Sequence, residues 1–266
     1  MALAEFHFTS KNNLGRQMSA MFIVPEKKTG PFPVLYLLHG MSDDHTAWTR
    51  WSNVDKYVEN LPLMVVMPDT ERGWYVDAAR DPGKKFESMI IEDLIGFVDS
   101  TFQTVASRAG RAIAGLSMGG YGALSLAMKH PDMFRAAHGF SGGFDRSWQA
   151  APNDEFRLLF GDDPTGTDFD INILAGKLDV ATMPSISFDC GIDDFTLEGN
   201  RSLHARLTDL GIPHRYTEYP GAHTWAYWNE HILGALPDLL AALEVTEPFD
   251  PDAYLPNRNE PIRRFE

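Results

Sequence analysis

Residues 112–123 read AIAGLSMGGYGA, an apolar run that ends in Ser117, with Gly115 two residues before the serine and Gly119 two residues after it. A stretch of helical character follows over residues 121–129. This order of strand, turn and helix is the context that a G-x-S-x-G nucleophile elbow requires. The glycines are needed because the strand and helix of such a turn approach too closely for side chains. The stretch therefore predicts that Ser117 is a catalytic nucleophile.

The length and composition favour one large α/β enzyme domain. The chain has 266 residues, and 44% of them are hydrophobic, which is enough for a sizeable core. Its formal net charge is -14, from 37 acidic and 23 basic side chains. Because phosphate binding needs clustered lysines and arginines, we expect no nucleic acid and no anionic membrane surface as a partner. The same balance disfavours polyanionic substrates.

No targeting or membrane signal is visible in the sequence. The first residues, MALAEFHFTSKNN, contain neither a basic leader nor an apolar signal core. No run approaches the roughly 18 apolar residues of a membrane-spanning helix. Cys190 is the only cysteine, so an intrachain disulfide is excluded. We therefore expect a cytoplasmic protein.

Runs of strand and helix character alternate along the chain. Residues 5–24 alternate around Gly15 and predict an opening antiparallel hairpin. Apolar runs predict further strands at residues 34–38, 63–67, 112–116, 136–140, 186–190 and, as the last strand, 214–219. Apolar spacing and position predict helices at residues 51–60, 86–102, 121–129, 197–210 and 225–243. The alternation predicts the α/β class, with a mainly parallel sheet flanked by helices on both faces.

We expect a single domain over residues 1–244. Within it, residues 144–182 are mixed in character and predict an excursion over the active-site face. Residues 245–266 are rich in proline and charge and predict an extended C-terminal tail. Ligands bind at the carboxyl ends of the strands in parallel sheets, and the candidate residues below follow such ends.

A serine hydroxyl needs a base that takes its proton, and the histidines are the candidates. In a fold with this elbow the chain order is serine, acid, histidine, with the histidine in a loop near the carboxyl edge of the sheet. Among nine histidines, His223 lies after the last predicted strand and before the final helix, in the sequence YPGAHTW. We therefore predict His223 as the general base.

The acid of the triad is expected in the loop after the preceding strand. There the sequence CGIDDF supplies two adjacent carboxylates, Asp193 and Asp194, of which only one can meet the imidazole. Asp194 is the preferred candidate because it stands third after the glycine of the loop. Asp193 is expected to be a solvated or helix-capping residue, and it remains the alternative candidate for the acid. The chosen aspartate would hold the imidazole tautomer and stabilise its cation.

An oxyanion hole requires two backbone N–H groups aimed at the developing charge. The residue after the nucleophile, Met118, supplies one candidate, and Met41, in the loop after strand 34–38, supplies the other. Several aromatic residues fall near loops at the same edge, and we expect Trp48, Trp74 and Trp225 to line a substrate pocket. Ordinary packing is the alternative for each of them.

Four segments together resemble the esterase D-like branch of the α/β hydrolases: LLHGMSDDHTAW, GLSMGGYGALSLAMKHPDMF, CGIDDF and PGAHTWAYW. That branch includes tributyrin esterases, S-formylglutathione hydrolases, feruloyl and acetyl-xylan esterases, and mycolyltransferases. The resemblance spans residues 5–243 and implies an α/β-hydrolase fold. It also implies Ser117 as nucleophile, Asp194 as acid and His223 as base, with the oxyanion amides at Met41 and Met118.

The resemblance is closest to the tributyrin-type carboxylesterases that act on small acyl groups. The S-formylglutathione hydrolases typically carry a cysteine in the first oxyanion loop and Asp-Gln-Gly before the acid. Here these positions read Met41-Ser42 and Asp189-Cys190-Gly191, which disfavours glutathione thioesters.

The sequence thus favours a serine carboxylesterase that hydrolyses short-chain acyl, acetyl or aryl esters through an acyl-enzyme. A thioesterase, a feruloyl or acetyl-xylan esterase and an acyltransferase are the alternative enzymes, and a non-catalytic hydrolase scaffold is the alternative outside catalysis. No metal-ligand or phosphate-binding pattern appears, so we expect no metal and no cofactor. The expected partner is a small-molecule ester, and the sequence leaves a monomer or a homo-oligomer open.

Overall fold

The computed structural model describes residues 1–145 and 153–254, and the backbone of residues 263–265. Nine strands lie in the described part of the chain: β1 (Ala2–Ser10), β2 (Arg16–Val24), β3 (Val34–Leu38), β4 (Met64–Pro68), β5 (Arg111–Leu116), β6 (Ala136–Phe140), β7 (Ser185–Gly191), β8 (Arg215–Tyr219) and β9 (Arg263–Phe265). They form one sheet in the order β1-β2-β4-β3-β5-β6-β7-β8-β9. The six strands from β4 to β8 in this order are parallel, while β1, β2 and β9 pair antiparallel at the two ends.

Helices cover both faces of this sheet. The α-helices are α1 (Ala47–Trp51), α2 (Val54–Tyr57), α3 (Phe86–Ser88), α4 (Ile95–Thr101), α5 (Met118–Lys129), α6 (Asp154–Phe160), α7 (Ile171–Ala175), α8 (Leu197–Asp209) and α9 (Trp225–Ala242). Successive side chains of a strand point to opposite faces, so Tyr36 belongs to the core under α5 while Leu35 and Leu37 belong to the core under α9. The predicted mainly parallel α/β sheet is confirmed.

The predicted helix over residues 51–60 is wrong in its bounds, because α1 ends at Trp51 and only Val54–Tyr57 within that range form a helix, α2. The backbone of Ser52 is extended and ends α1. Asn53 then donates its N–H to the side chain of Asn229 on α9, at 2.8 Å. Serine and asparagine offer the backbone such side-chain partners in place of helical ones, which explains the break.

Smaller differences concern the helices at residues 86–102 and 121–129. The first is helical throughout residues 86–101, but Met89–Leu94 forms a π-helix between α3 and α4. The second, α5, begins at Met118, directly after the candidate nucleophile. The helix N-terminus is therefore closer to Ser117 than the sequence pattern indicates.

The C-terminal segment is not wholly an extended tail. Strand β9 pairs antiparallel with β8. The strand predicted at residues 214–219 is therefore not the last strand, contrary to the prediction. Val245, Phe249 and Tyr254 pack against the core under α9. The described part of residues 245–266 thus lies along the same sheet, and the division of the chain at residue 244 stays a prediction. Of the predicted excursion, residues 146–152 lie outside the described residues, and α6 and α7 form part of the rest.

The turn between β5 and α5 is the tightest point of the fold. Ser117 has φ 55° and ψ -115°, a left-handed conformation that serine rarely adopts. A Cβ on Gly115 would lie 2.4 Å from the carbonyl oxygen of Gly119, and one on Gly119 would lie 2.6 Å from the carbonyl oxygen of His39. Strand, turn and helix therefore fit together only because both flanking residues are glycines.

We expect Gly115→Ala to lower the free energy of unfolding by about 3 kcal/mol, since overpacking against backbone atoms cannot relax at small cost. Gly96→Ala is the matched control: Gly96 is an exposed glycine inside α4, and a Cβ added there would meet no atom within 4 Å. It should raise the same free energy by about 0.5–1 kcal/mol. Urea unfolding of the three proteins measures both changes, and equal stabilities would contradict this packing.

Candidate active site

The predicted site residues follow the carboxyl ends of three parallel strands, β5, β7 and β8. Ser117 comes directly after β5, Asp194 lies three residues after β7, and His223 lies four residues after β8. The register pairs Gly191 of β7 with Tyr219 of β8, so the two loops leave the sheet side by side. A Cβ on Gly191 would lie 2.3 Å from the carbonyl oxygen of Gly221, which shows how closely these loops pack.

The structure brings Ser117, His223 and Asp194 into one hydrogen-bonded row. His223 Nε2 lies 2.9 Å from Ser117 Oγ. His223 Nδ1 lies 2.9 Å from Asp194 Oδ2 and 3.0 Å from Asp194 Oδ1. The Asp194 side chain is fully buried and that of His223 is 16% exposed. The alternative acid, Asp193, is an exposed residue.

The surroundings of Asp194 favour its ionised form. Burial by itself raises the pKa of this carboxyl, but hydrogen bonds from His223 and from the Thr196 backbone outweigh burial and hold the pKa below its ordinary value. An ionised carboxylate only accepts hydrogen bonds, so it orients His223 with a proton on Nδ1. Nε2 is then left to accept a proton from the Ser117 hydroxyl.

Two backbone amides lie beside this row. Met118 is the first residue of α5, so its N–H has no carbonyl partner within the helix. Met41 follows Gly40 in the loop after β3 and lines the same cavity as Ser117. The close approach of Gly119 to the His39 carbonyl brings this loop against the elbow. Both predicted oxyanion amides thus belong to segments that meet at Ser117.

His39 braces the loop that carries Met41. Its Nδ1 lies 2.7 Å from the carbonyl oxygen of Gly40, and its Nε2 accepts the N–H of Thr70 at 3.1 Å. These partners require a neutral ring with the proton on Nδ1. Burial lowers the pKa of His39 from its ordinary value, although the Gly40 carbonyl and nearby aspartates oppose this shift.

A cavity of about 330 Å³ opens above Ser117. Its described lining is Gly40, Met41, Ser42, Asp43, Trp74, Leu116, Ser117, Gly143, Phe195, Thr196, His223, Thr224, Trp225 and Trp228. Of the three predicted pocket residues, Trp74 and Trp225 line this cavity. Trp74 is fixed from behind by Phe156 and Phe160 of α6.

Trp48 does not line this cavity, contrary to the sequence prediction. It is buried, and its indole N–H donates to the carbonyl oxygen of Leu38 at 3.0 Å. Its ring packs edge-on against Trp225, with ring centroids 5.2 Å apart. Trp48 thus packs behind Trp225 in the cavity wall, because its position on α1 faces the core.

Phe195 and Trp228 also line the cavity; Phe195 is absent from the sequence prediction, while Trp228 is one of the aromatic residues that fall near this edge in the sequence. The Phe195 ring lies 4.2 Å from the His223 ring, and the Trp228 ring meets His223 edge-on at 4.9 Å. The sequence signals are weak: Phe195 directly follows Asp194, and Trp228 stands one helical turn after Trp225.

Cys190 and metal ligands play no visible part in this site. Cys190 is buried, and burial raises the pKa of its thiol far above the ordinary value. Among the residues that the structure describes, no group of three histidine, cysteine, aspartate or glutamate side chains could hold a metal ion.

In the same described residues, no helix is long and apolar enough to cross a membrane.

A family model described as "Putative esterase" matches residues 11–239. An acetyl esterase of Caldicellulosiruptor saccharolyticus is 30% identical over 259 residues, which cover 88% of this chain and 97% of that protein. The chain belongs to this esterase family. The family expected from the four sequence segments is confirmed.

Solved structures agree with this assignment. FphF, a fluorophosphonate-binding serine hydrolase of Staphylococcus aureus, matches with a TM-score of 0.82 and 27% identity over 90% of this chain and 98% of its own. The S-formylglutathione hydrolase FrmB of the same organism matches with a TM-score of 0.80 and 26% identity, over 90% and 98%. The fold is that of the α/β hydrolases, and the protein is a serine esterase, a carboxylic ester hydrolase.

The neutral state of His39 makes a prediction about stability. In the unfolded chain this histidine binds a proton at its ordinary pKa of about 6.5, whereas the folded ring resists protonation. Its contribution to stability is therefore complete above about pH 6.5 and is lost as the pH falls towards the lowered pKa. Below pH 6, we expect the free energy of unfolding of the wild-type esterase to fall by about 1.4 kcal/mol more per pH unit than that of His39→Gln. Urea unfolding at several pH values measures both slopes, and equal slopes would contradict a neutral His39.

Proposed function

We propose that this esterase works through a Ser117–His223–Asp194 triad. Ser117 Oγ attacks the ester carbonyl carbon and forms a new C–O bond, while His223 Nε2 takes the hydroxyl proton. The tetrahedral intermediate then expels the alcohol, which leaves with the proton from His223. The observation that carries this proposal is the row of short distances from Ser117 Oγ through the imidazole to the buried Asp194 carboxylate.

Water completes the cycle in the proposed mechanism. It attacks the carbonyl carbon of the acyl-enzyme, and His223 accepts one of its protons. Breakdown of the second tetrahedral intermediate releases the acid and returns the proton to Ser117 Oγ. Asp194 stays ionised throughout and stabilises the imidazolium, as its lowered pKa favours. The N–H groups of Met41 and Met118 stabilise the negative oxygen of both intermediates.

The proposed substrate is a short-chain acyl, acetyl or aryl ester. A cavity of about 330 Å³ is at the small end of ligand pockets, and its aromatic walls suit a planar or short acyl group. The relative from Caldicellulosiruptor saccharolyticus is named an acetyl esterase, which supports the same class.

The charge of the cavity favours substrates without a negative charge. Asp43 is half-buried in the cavity wall. Its carboxylate and Ser117 both lie close to Gly40: a Cβ added to Gly40 would be 3.2 Å from Asp43 Oδ2 and 3.7 Å from Ser117 Cβ. The described lining contains no lysine or arginine. The nearby cation, Arg50, is paired with Asp44 at 3.2 Å. An anionic group such as a glutathione carboxylate would meet Asp43 without a counter-charge, so the thioesterase alternative is disfavoured.

We further propose a cytoplasmic location, supported by the single buried cysteine. The proposed partner is the small-molecule ester itself. Whether the protein works as a monomer or as a homo-oligomer stays open, as it does from the sequence.

A ladder of p-nitrophenyl esters from acetate to palmitate, with a ferulate ester and a thioester beside it, tests the proposed function. We expect the highest kcat/KM at two to four carbons. Ser117→Ala should reduce kcat on every substrate by about 10⁴-fold or more, because the attacking atom is lost. A mutant as active as the wild-type enzyme would contradict Ser117 as nucleophile, and a higher kcat/KM on the thioester would favour the thioesterase.

Two neighbouring aspartates provide a matched pair that tests the acid. Asp194→Asn should lower kcat by about 10⁴-fold, because an amide cannot stabilise the imidazolium and favours the wrong tautomer. Asp193→Asn, one residue away on the exposed side of the loop, should keep kcat within about twofold of the wild-type value. Steady-state kinetics on p-nitrophenyl acetate measures both, and the reverse pattern would assign the acid to Asp193.

A further inference from the structure

A carboxylate lies close to the nucleophile in the wall of the active-site cavity. Asp43 stands two residues after Met41 in the loop after β3, and it lines the same cavity as Ser117. Asp43 Oδ2 and Ser117 Cβ both lie within 4 Å of the place that a Cβ on Gly40 would occupy. The catalytic steps proposed above do not use this carboxylate. Its position beside the reacting atoms therefore calls for a role in binding.

The basic side chains that stand near Asp43 in the sequence are engaged elsewhere. Arg50 pairs with Asp44 at 3.2 Å. His45 Nε2 lies 2.9 Å from Glu5 Oε1. The described lining of the cavity contains no lysine or arginine. The counter-charge of Asp43 is therefore left for a bound molecule to supply.

Two neighbouring carboxyl groups differ in the same sense. Burial raises the pKa of Asp43 above its ordinary value, and the nearby His39, Trp225 and Arg50 side chains do not cancel this effect. Burial acts on Asp44 too, but hydrogen bonds from Thr46 outweigh it and lower the pKa of that carboxyl. The protein thus stabilises the charge of one aspartate and leaves that of the other uncompensated.

The remaining walls of the cavity present aromatic rings. Trp74, Phe195, Trp225 and Trp228 all line it, and the rings of Trp225 and Trp228 meet edge-on with centroids 5.4 Å apart. Phe195 is 60% exposed, although it is a large apolar side chain. The face of an aromatic ring carries partial negative charge, so aromatic walls attract organic cations such as quaternary ammonium groups. The walls and the carboxylate thus favour the same kind of ligand.

We propose that Asp43 and the aromatic walls form a subsite for an organic cation, and that the preferred substrates are esters that carry an ammonium group on a short linker. This inference rests on the proposed function and names its substrate class. The ester carbonyl lies at Ser117 and the ammonium group lies beside Asp43, within one cavity of about 330 Å³.

Two further observations fit an organic cation. A metal ion of the calcium or magnesium type needs several oxygen ligands, whereas a single carboxylate among aromatic rings suits a weakly hydrated ammonium group. The formal net charge of -14 also attracts cations towards the protein over longer distances. Asp43 then selects the cation at close range.

Acetylcholine and 3,3-dimethylbutyl acetate are the matched substrates for the test. They have the same shape and differ in the quaternary centre, which is a charged nitrogen in one and a neutral carbon in the other. We expect the wild-type enzyme to hydrolyse acetylcholine with a kcat/KM about tenfold higher or more. The esters also differ in intrinsic reactivity, so the decisive quantity is the ratio of their kcat/KM values compared between variants, in which that difference cancels.

Asp43→Asn removes the charge and keeps the shape of the side chain. Asp44→Asn is the control, because it removes the same charge one residue away, outside the described lining of the cavity, and keeps an oxygen that can accept the bonds from Thr46. The ratio should fall about tenfold in Asp43→Asn and change less than about twofold in Asp44→Asn. An unchanged ratio in Asp43→Asn, or equal falls in the two variants, overturns the proposal. Thermal unfolding shows that both variants are folded.

Choline and 3,3-dimethylbutanol test the subsite without turnover. Their binding to the inactive Ser117→Ala protein is measured by tryptophan fluorescence, since three tryptophans line the cavity. We expect choline to bind about tenfold more tightly than the neutral alcohol, and to lose this advantage when Asp43→Asn is added. Equal binding of the two alcohols overturns the subsite while ester hydrolysis by the wild-type enzyme still supports the proposed function. Choline binding by an enzyme that hydrolyses no ester has the reverse meaning: the subsite stands and the proposed function fails.

Discussion

The turn at Ser117 is the constraint on which the site depends. Its left-handed backbone lets β5 pass directly into α5, and it is fixed from the side by β6: Ser117 N–H donates to the Phe140 carbonyl at 2.8 Å, and Gly143 N–H donates to the Ser117 carbonyl at 3.1 Å. Rigid neighbours on both sides are what allow a strained residue to persist. The hydroxyl is thereby held at the edge of the sheet.

Every other part of the proposed chemistry is placed relative to that turn. The loop after β3 packs on Gly119, and Met41 of this loop lines the same cavity as Ser117. The loops after β7 and β8 leave the sheet in matching register and bring Asp194 and His223 together. The aromatic wall then fixes the imidazole, with Phe195 and Trp228 against its ring. Catalytic orientation here is a property of the strand ends, and the helices behind them keep those ends in place.

The sequence predicts the residues whose position depends on chain order, and it fails where position depends on packing. Ser117 and His223 can be found because glycine spacing and strand order restrict where such residues stand. Trp48 cannot be placed in this way, since one turn of a short helix decides whether its ring faces the cavity or the core. The break between α1 and α2 involves Asn229 of α9, far away in the chain, which accepts the N–H of Asn53. Strand β9 depends equally on a distant partner, β8. The sequence of β9 is short and charged, and by itself it predicts an extended tail.

A fluorophosphonate probe with peptide mapping by mass spectrometry tests the central claim, that Ser117 is the nucleophile activated by His223 and Asp194. We expect one equivalent of label on the peptide that contains Ser117. We expect no label in Ser117→Ala, and much slower labelling in Asp194→Asn than in Asp193→Asn. Labelling of another serine, or equal rates in the two aspartate variants, would contradict it.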